Sequence, residues 1–275
     1  MADAARTWLI TGCSSGFGRL LAQRALERGD RVALTARNPA MLAALAGQYG
    51  NAALCLPLDV TRPETIRSAL GEVFERFGRL DILVNNAGYG LQAAAEEASD
   101  AQTRAMFEVN FFGPLDVIRA ALPGLRAQGG GHIINISSVG GRTTAPLIGL
   151  YSASKFALEG LSLSLAMELA PFGIKVTSIA PGAFATGFAG AVQSAGAKLD
   201  AYRQQHAMLD TILADLHFAD PAGCVEAILA IAGADEPPRQ LIAGSHAVSA
   251  VEAVMAAQQA EIAKWRAVSD AADQQ

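Results

Sequence analysis

Short apolar runs alternate along this chain with longer segments in which apolar residues recur every three to four positions. Runs of four to six apolar residues bounded by Gly, Pro, Asn or Asp mark strands, and the three-to-four spacing marks helices that bury one face. The pattern predicts strands at 7–11, 31–36, 53–57, 82–84, 132–136, 175–179 and 239–244. It predicts helices at 19–28, 39–49, 63–77, about 100–125, 151–169, 221–232 and 245–268. Asp220-Pro221 opens one of them, with Asp at the cap and Pro in the first turn. Apolar strands in alternation with helices mean a parallel sheet covered on both faces. The expectation is one α/β domain over 1–275, doubly wound in the Rossmann manner, with about seven strands. Residues 183–218 are rich in Ala, Gly and Gln, with helical character and no strand; they leave the sheet at its carboxyl edge and are expected to form a mobile substrate lid. Residues 245–275 form a last helix with a polar tail.

Composition narrows the class. Of 275 residues 51% are hydrophobic and 17% charged, which is globular rather than disordered. A net charge of −5 without a basic run argues against nucleic acid and anionic membrane as partners. No apolar run approaches the length of a membrane span, and the first ten residues hold no signal-peptide core. Cys13, Cys55 and Cys224 are odd in number and widely spaced, as expected of reduced thiols in a cytoplasm. The four histidines show no ligand spacing, so no metal is expected.

The candidate chemistry lies at the carboxyl ends of the strands. Behind the first strand comes Gly12-Cys13-Ser14-Ser15-Gly16-Phe17-Gly18 and then a helix, the arrangement in which backbone N–H groups and a helix N-terminus hold a phosphate. A Gly-rich turn is also a plain tight connection; the flanking strand and helix favour the ligand. NAD-binding folds commonly carry an acidic residue at the end of the second strand, to meet the ribose 2′-hydroxyl. Here Ala36-Arg37 stands there, and the flat fork of Arg37 suits a 2′-phosphate, the alternative being a solvated arginine. Tyr151 and Lys155 open a helix four residues apart and share a face, with Ser138 thirteen positions upstream. An ammonium beside a phenol favours the phenolate, so the Tyr151 pKa is expected to fall toward neutrality, as general acid–base work requires.

Jointly these motifs resemble the short-chain dehydrogenase/reductase family. The match runs over about residues 7–187 and comprises Thr11-Gly12-x-x-x-Gly16-x-Gly18, Asp59, Asn85-Asn86-Ala87-Gly88, Asn110, Ser138, Tyr151-x-x-x-Lys155, and Pro181-Gly182 with Thr186. Within the family it is similar to NADP-preferring carbonyl reductases and retinol- or hydroxysteroid-dehydrogenase-like members. The resemblance implies NADP(H) as cofactor and a catalytic set of Asn110, Ser138, Tyr151 and Lys155. Tyr151 moves the substrate proton, Lys155 holds the nicotinamide ribose, Ser138 bonds the substrate oxygen, and Asn110 kinks its helix and positions a water linked to Lys155. Gly12, Gly16 and Gly18 face the pyrophosphate, Ser14, Ser15 and Phe17 also lie at the cofactor, and Arg37 meets the 2′-phosphate. Asp59 and Val60 meet the adenine, Asn86 the adenosine side and Thr186 the carboxamide, with Ala87, Gly88, Pro181 and Gly182 also expected at the cofactor. Gln92, Leu147 and Phe184 join Ser138 and Tyr151 as expected substrate neighbours, in a mostly apolar pocket for a small carbonyl or alcohol. Arg142, on the loop after Ser138, is either a partner for a carboxylate or a solvated residue. The chain departs from the commoner tetrameric members beyond Gly244, so a homodimer and a homotetramer both remain open. A cofactor-sensing regulator without turnover is the alternative to an enzyme.

Overall fold

Successive residues of a strand face opposite sides of a sheet, and in this chain nearly every strand is apolar at both parities. In the computed structural model, which describes residues 5–273, the result is a sheet buried on both faces. Residues 1–4 and 274–275, the ends of the expected domain, lie outside the described residues. The first half runs β1 (Thr7–Ile10), α1 (Gly16–Glu27), β2 (Arg31–Ala36), α2 (Ala43–Ala46), β3 (Ala53–Pro57), α3 (Pro63–Phe77), β4 (Ile82–Asn85) and the short β5 (Leu91–Gln92). It continues with α4 (Asp100–Phe107), α5 (Gly113–Ala127), β6 (Gly131–Ile136), α6 (Gly149–Glu168) and β7 (Ile174–Pro181). The chain closes with β8 (Gln193–Ser194), α7 (Arg203–Ala214), α8 (Pro221–Gly233), β9 (Gln240–Ala243) and α9 (Ser245–Ala271).

Seven strands form one parallel sheet in the order β3-β2-β1-β4-β6-β7-β9. The order reverses between β1 and β4, so a crevice opens beyond their carboxyl ends. Trp8, Ile10, Leu34, Val84 and Ile134 point to one face, against α1 and α8. Leu9, Ala33, Leu83 and Ile133 point to the other, against α3, α5 and α6. Each fully buried aliphatic side chain contributes roughly 2 kcal/mol, so the two layers hold the sheet firmly between them.

The expected architecture is present, with three local differences. The helix expected at 39–49 is a 3₁₀ turn at Pro39–Leu42 followed by the four residues of α2. The helix expected at 100–125 is broken into α4 and α5 by a π-helical turn, Glu108–Phe112, which contains Asn110, where the family resemblance implied a kink. In the 183–218 segment, where no strand was expected, β8 pairs in parallel with β5, Leu91 opposite Gln193. Two-residue strands carry no periodic signal, and this pair exists only because the segment folds back onto residues 90–92. Among the described residues no helix is long and apolar enough to cross a membrane.

His132 in β6 is buried, with Nε2 2.9 Å from Thr177 Oγ1 and Nδ1 without a hydrogen-bond partner. Burial, helped by the charges of Lys175 and Arg6, pulls its pKa from 6.5 to about 4. The unfolded chain therefore takes up this proton before the folded one does. Stability from this group is full above pH 6.5 and falls as the pH drops toward 4, by about 3 kcal/mol at most. Urea midpoints at pH 7 and pH 4.5 should show a smaller acid loss for His132→Gln than for the unmutated protein.

Candidate active site

The β1–α1 turn needs backbone shapes that side chains resist. Gly12 and Gly16 have φ of 74° and 58°, in the left-handed region. A Cβ on Gly18 would run into the Asn86 side-chain amide and the Gly12 carbonyl. Helix α1 begins without a side-chain cap at Ser15 and without an acidic residue in its first turn. Its leading N–H groups are thus left for an external anion. The turn is braced from β4: Thr11 Oγ1 accepts from the backbone N–H groups of Asn86 and Ala87, at 2.9 and 3.0 Å. Asn86 Nδ2 donates to the carbonyls of Thr11 and Gly12, at 2.8 and 3.1 Å. The Asn86 side chain therefore serves the turn itself. Ser14 and Ser15 lie on the turn, and Thr186 and Gly187 pass over it, within about 3.6 Å of where side chains at Gly16 and Gly187 would begin.

At the end of β2, Arg37 is exposed. Across from it Asp59 follows β3. Burial works upward on its carboxyl, but the Thr61 backbone N–H and hydroxyl, with the charges of Arg37 and Arg62, leave its pKa lowered. Arg19, next to Gly18, reaches over the same edge, with Nη1 3.4 Å from the Met41 carbonyl. It is a second cation there, and its place directly after the last glycine is the signal that would have found it. Val60 is core: Gly113 lets α5 approach it so closely that a Cβ would stand 2.8 Å from Val60.

The second half of the site gathers on α6. Lys155 is buried and donates from Nζ to the Ile136 carbonyl at 3.0 Å. Asn110 sits in the π turn, fully buried, where the widened helix releases its side chain inward. Its Oδ1 accepts from the Tyr89 N–H at 3.0 Å, and its Nδ2 donates to the Tyr89 carbonyl at 2.9 Å and to Ser154 Oγ at 3.2 Å. Gly88 lies between this amide and Lys155; a Cβ there would be 3.1 Å from Asn110 Oδ1 and 3.5 Å from Lys155 Nζ. Ser138 lies two residues past β6 and accepts from the Gly140 N–H at 3.0 Å; Gly140 sits between it and Tyr151, so that a Cβ there would be 3.4 Å from Ser138 Oγ and 3.3 Å from the Tyr151 ring. Pro181 and Gly182 close β7, with Gly182 N–H bonded to the Ala243 carbonyl at 2.9 Å.

The electrostatics correct one expectation. The Tyr151 phenol is not drawn toward neutrality: burial pushes it up to about 12, and the Ser138 hydrogen bond offsets only part of that rise. Burial pulls Lys155 down to about 8, against the opposing charge of Glu159. Desolvation penalises the charged form of each group and is the largest influence on both. At pH 7 the pair is a neutral phenol beside a protonated amine, the state that gives a proton.

The expected substrate neighbours separate. Leu147 is buried with a left-handed φ of 65°, and its carbonyl accepts from Ala93 N–H at 2.7 Å. It packs on Leu209 of α7. Gln92 is in β5 beside Ser194. Phe184 turns the other way, edge-on to Phe17 with ring centres 5.5 Å apart, and Phe188 is the aromatic that meets Tyr151, at 5.9 Å. The segment around Leu199 and His206 is fastened by a carboxylate that the pattern gave no sign of. Glu97 accepts from the Ala94 and Leu199 N–H groups at 2.9 and 2.8 Å, and its two oxygens lie 2.9 and 3.1 Å from His206 Nε2. Residues 109 positions apart leave no local trace of such a contact.

A profile of the short chain dehydrogenase family matches residues 6–196. An oxidoreductase of Botryotinia fuckeliana is 35% identical over 96% of this chain and 98% of that protein. The crystal structure of a short-chain dehydrogenase from Streptomyces avermitilis superposes with a TM-score of 0.92 at 39% identity, covering 99% of this chain and 100% of that one. Two similar structures hold nicotinamide dinucleotides. A 3-ketoacyl-(acyl-carrier-protein) reductase of Brucella melitensis with NADH has a TM-score of 0.75 at 25% identity, over 88% of this chain and 98% of its own. A short chain dehydrogenase of Burkholderia cenocepacia with NADP has a TM-score of 0.75 at 27% identity, over 94% and 97%.

The Glu97 contacts hold the 193–209 segment, and their removal should loosen it. Glu97→Ala leaves the Leu199 amide and His206 without their shared acceptor. Amide exchange across residues 193–209 is expected to quicken about tenfold or more, while exchange in β1 and β4 stays unchanged. Equal rates in both proteins would show that packing alone holds the segment.

Proposed function

This chain belongs to the short-chain dehydrogenase family, and from that premise we propose that it transfers hydride between NADP(H) and a ketone or aldehyde and its alcohol. The observation that carries the reading is the grouping around α6: the Tyr151 ring and Ser138 Oγ both border Gly140, where a Cβ would meet them at 3.3 and 3.4 Å, and the buried Lys155 lies one turn along. The uncapped α1 N-terminus and the Gly12–Gly18 turn fit the pyrophosphate, and Arg37 with Arg19 fits the 2′-phosphate. When bound, the nicotinamide supplies or accepts the hydride.

The chain's own residues do the rest. Ser138 and Tyr151 donate to the substrate oxygen, where negative charge grows during reduction, a stabilisation of several kcal/mol in a site without water. Tyr151 then gives up its phenolic proton to that oxygen. The neighbouring ammonium of Lys155 stabilises the phenolate left behind and would hold the ribose hydroxyls of a bound cofactor. Asn110 holds the Tyr89 backbone and Ser154, and so fixes the floor on which Lys155 lies. Phe188, tilted against the Tyr151 ring at 5.9 Å, makes the surroundings apolar, which favours a substrate with few charges. Three free thiols, two of them buried with pKa pushed up to about 12 by burial, support work in a reducing cytoplasm.

NADPH consumption against a panel of aldehydes, diketones, quinones and steroid ketones tests the reading. Tyr151→Phe should cut turnover by about 10²–10⁴-fold and leave NADPH binding nearly intact, because only the transferable proton is lost. A variant that keeps more than a few percent of the activity, by steady-state rates, would displace Tyr151 as the acid.

Cofactor choice turns on β2. Ala36→Asp with Arg37→Leu replaces attraction for a phosphate dianion by repulsion, and is expected to shift the kcat/KM ratio toward NADH by more than about tenfold. Equal use of NADH and NADPH by the unmutated protein would exclude Arg37 as the selector.

A further inference from the structure

One buried charged group has no part in the mechanism above. Glu159 lies on α6, one turn beyond Lys155, and is 4% exposed. An unpaired carboxylate at that depth is costly, so its partners are informative. Its Oε1 accepts from Ser178 Oγ of β7 at 2.7 Å, and its Oε2 accepts from Gln240 Nε2 of β9 at 2.7 Å. Arg142 Nη1 stands 3.6 Å from Oε2, with its side chain only 23% exposed. Arg142 thus meets a carboxylate of its own chain. The loop that carries it begins at Ser138 and packs on α6 so tightly that a Cβ on Gly141 would be 3.0 Å from the Lys155 carbonyl oxygen.

We propose that Glu159 is a positioning residue for Lys155: a carboxylate held by β7 and β9 and balanced by Arg142, whose buried negative charge keeps the Lys155 side chain an ammonium aimed at the cofactor. The inference rests on the role given to Lys155 above. Two residues four apart on a helix lie one above the other, so Glu159 sits directly beneath the turn that bears Lys155. Burial alone drives Lys155 toward its neutral form, and the charge of Glu159 opposes that drive. The elements around the pair add few other charges. Helix α6 brings Tyr151, the loop brings Arg142, and β7, β9 and the π turn bring the neutral Ser178, Gln240 and Asn110. Arg142 is therefore the counterweight: it draws on the same carboxylate and weakens its hold on Lys155.

That geometry predicts shifts of opposite sign. Glu159→Gln keeps the volume and an acceptor for Ser178 but removes the charge, so the Lys155 midpoint should fall, by about one unit. Arg142→Gln leaves Glu159 unbalanced, so the Lys155 midpoint should rise. A loss of scaffolding would move both the same way. The chain contains four lysines, so NMR of the cofactor-free protein with its lysines carbon-labelled at Cε gives a small set of signals, and Lys155→Met identifies the relevant one. The titration needs neither cofactor nor turnover, so its result stands apart from the carbonyl panel. A downward shift in Glu159→Gln with an upward shift in Arg142→Gln supports the proposal. An unmoved Lys155 midpoint in Glu159→Gln, or shifts of one sign in both variants, overturns it. If Glu159→Gln does not fold, Arg142→Gln decides alone: a rise supports the proposal, and no change or a fall ends it. In turnover, the alkaline limb of kcat/KM should follow the same two directions.

Discussion

A parallel sheet buried on both faces leaves polar chemistry only one place to stand, the edge where the strands end. In the middle of β1, β4 and β6, Leu9, Leu83 and Ile133 exclude water from one face, and Ile10, Val84 and Ile134 from the other. The groups that the strands deliver to the site lie just past that apolar slab. Gly12 follows β1, Arg37 follows β2, Asp59 follows β3, Asn86 follows β4, Ser138 follows β6, and Gly182 follows β7. The reversal of strand order at β1 and β4 splits the connecting helices to opposite faces and opens the crevice into which these groups converge.

The same constraint sets the electrostatics of the site. Lys155 reaches the edge from a helix packed on the sheet, so its ammonium is drawn out of water and rests on the Ile136 carbonyl. Tyr151, one turn earlier, is desolvated with it. Burial pushes the two pKa values apart, the phenol up and the amine down, yet both groups stay in their proton-rich forms at neutral pH. A site arranged this way is poised to release a proton to an oxygen that gains charge. The site's second layer is likewise made of buried polar groups that find partners on several elements: Asn110 with Tyr89 and Ser154, and Glu159 with Ser178, Gln240 and Arg142. Such groups tie loop, helix and strand to one geometry, because each would be costly if left alone.

Much of this was legible in the linear chain. The six strands β1, β2, β3, β4, β6 and β7, and helix α3 residue for residue, follow from apolar period and punctuation by Gly and Pro. So do the positions of Gly12, Gly16 and Gly18, of Arg37 after β2, and of Tyr151 and Lys155 on one helical face. Less legible were features that depend on partners far along the chain. The β5–β8 pair, the Glu97 clasp on Leu199 and His206, and the turning of Phe184 toward Phe17 join segments from about 100 to 170 residues apart. The break of the 100–125 helix was signalled by the motif residue Asn110 and not by the apolar spacing.

The sequence by itself determined the layers, the order of the elements and which residue types stand at each strand end, because those depend on local period and on backbone shapes that only glycine accepts. The tertiary structure alone decided which of those residues meet, which are drawn into the core, and what charge each one carries. Val60 became packing for Gly113, and Asn86 became a brace for the glycine turn. Tyr151 remained a phenol where proximity to an ammonium had suggested otherwise. The reason is that spacing reports neighbours along one helix or strand, whereas desolvation is a property of everything that surrounds a group, and that exists only once the chain has closed around it.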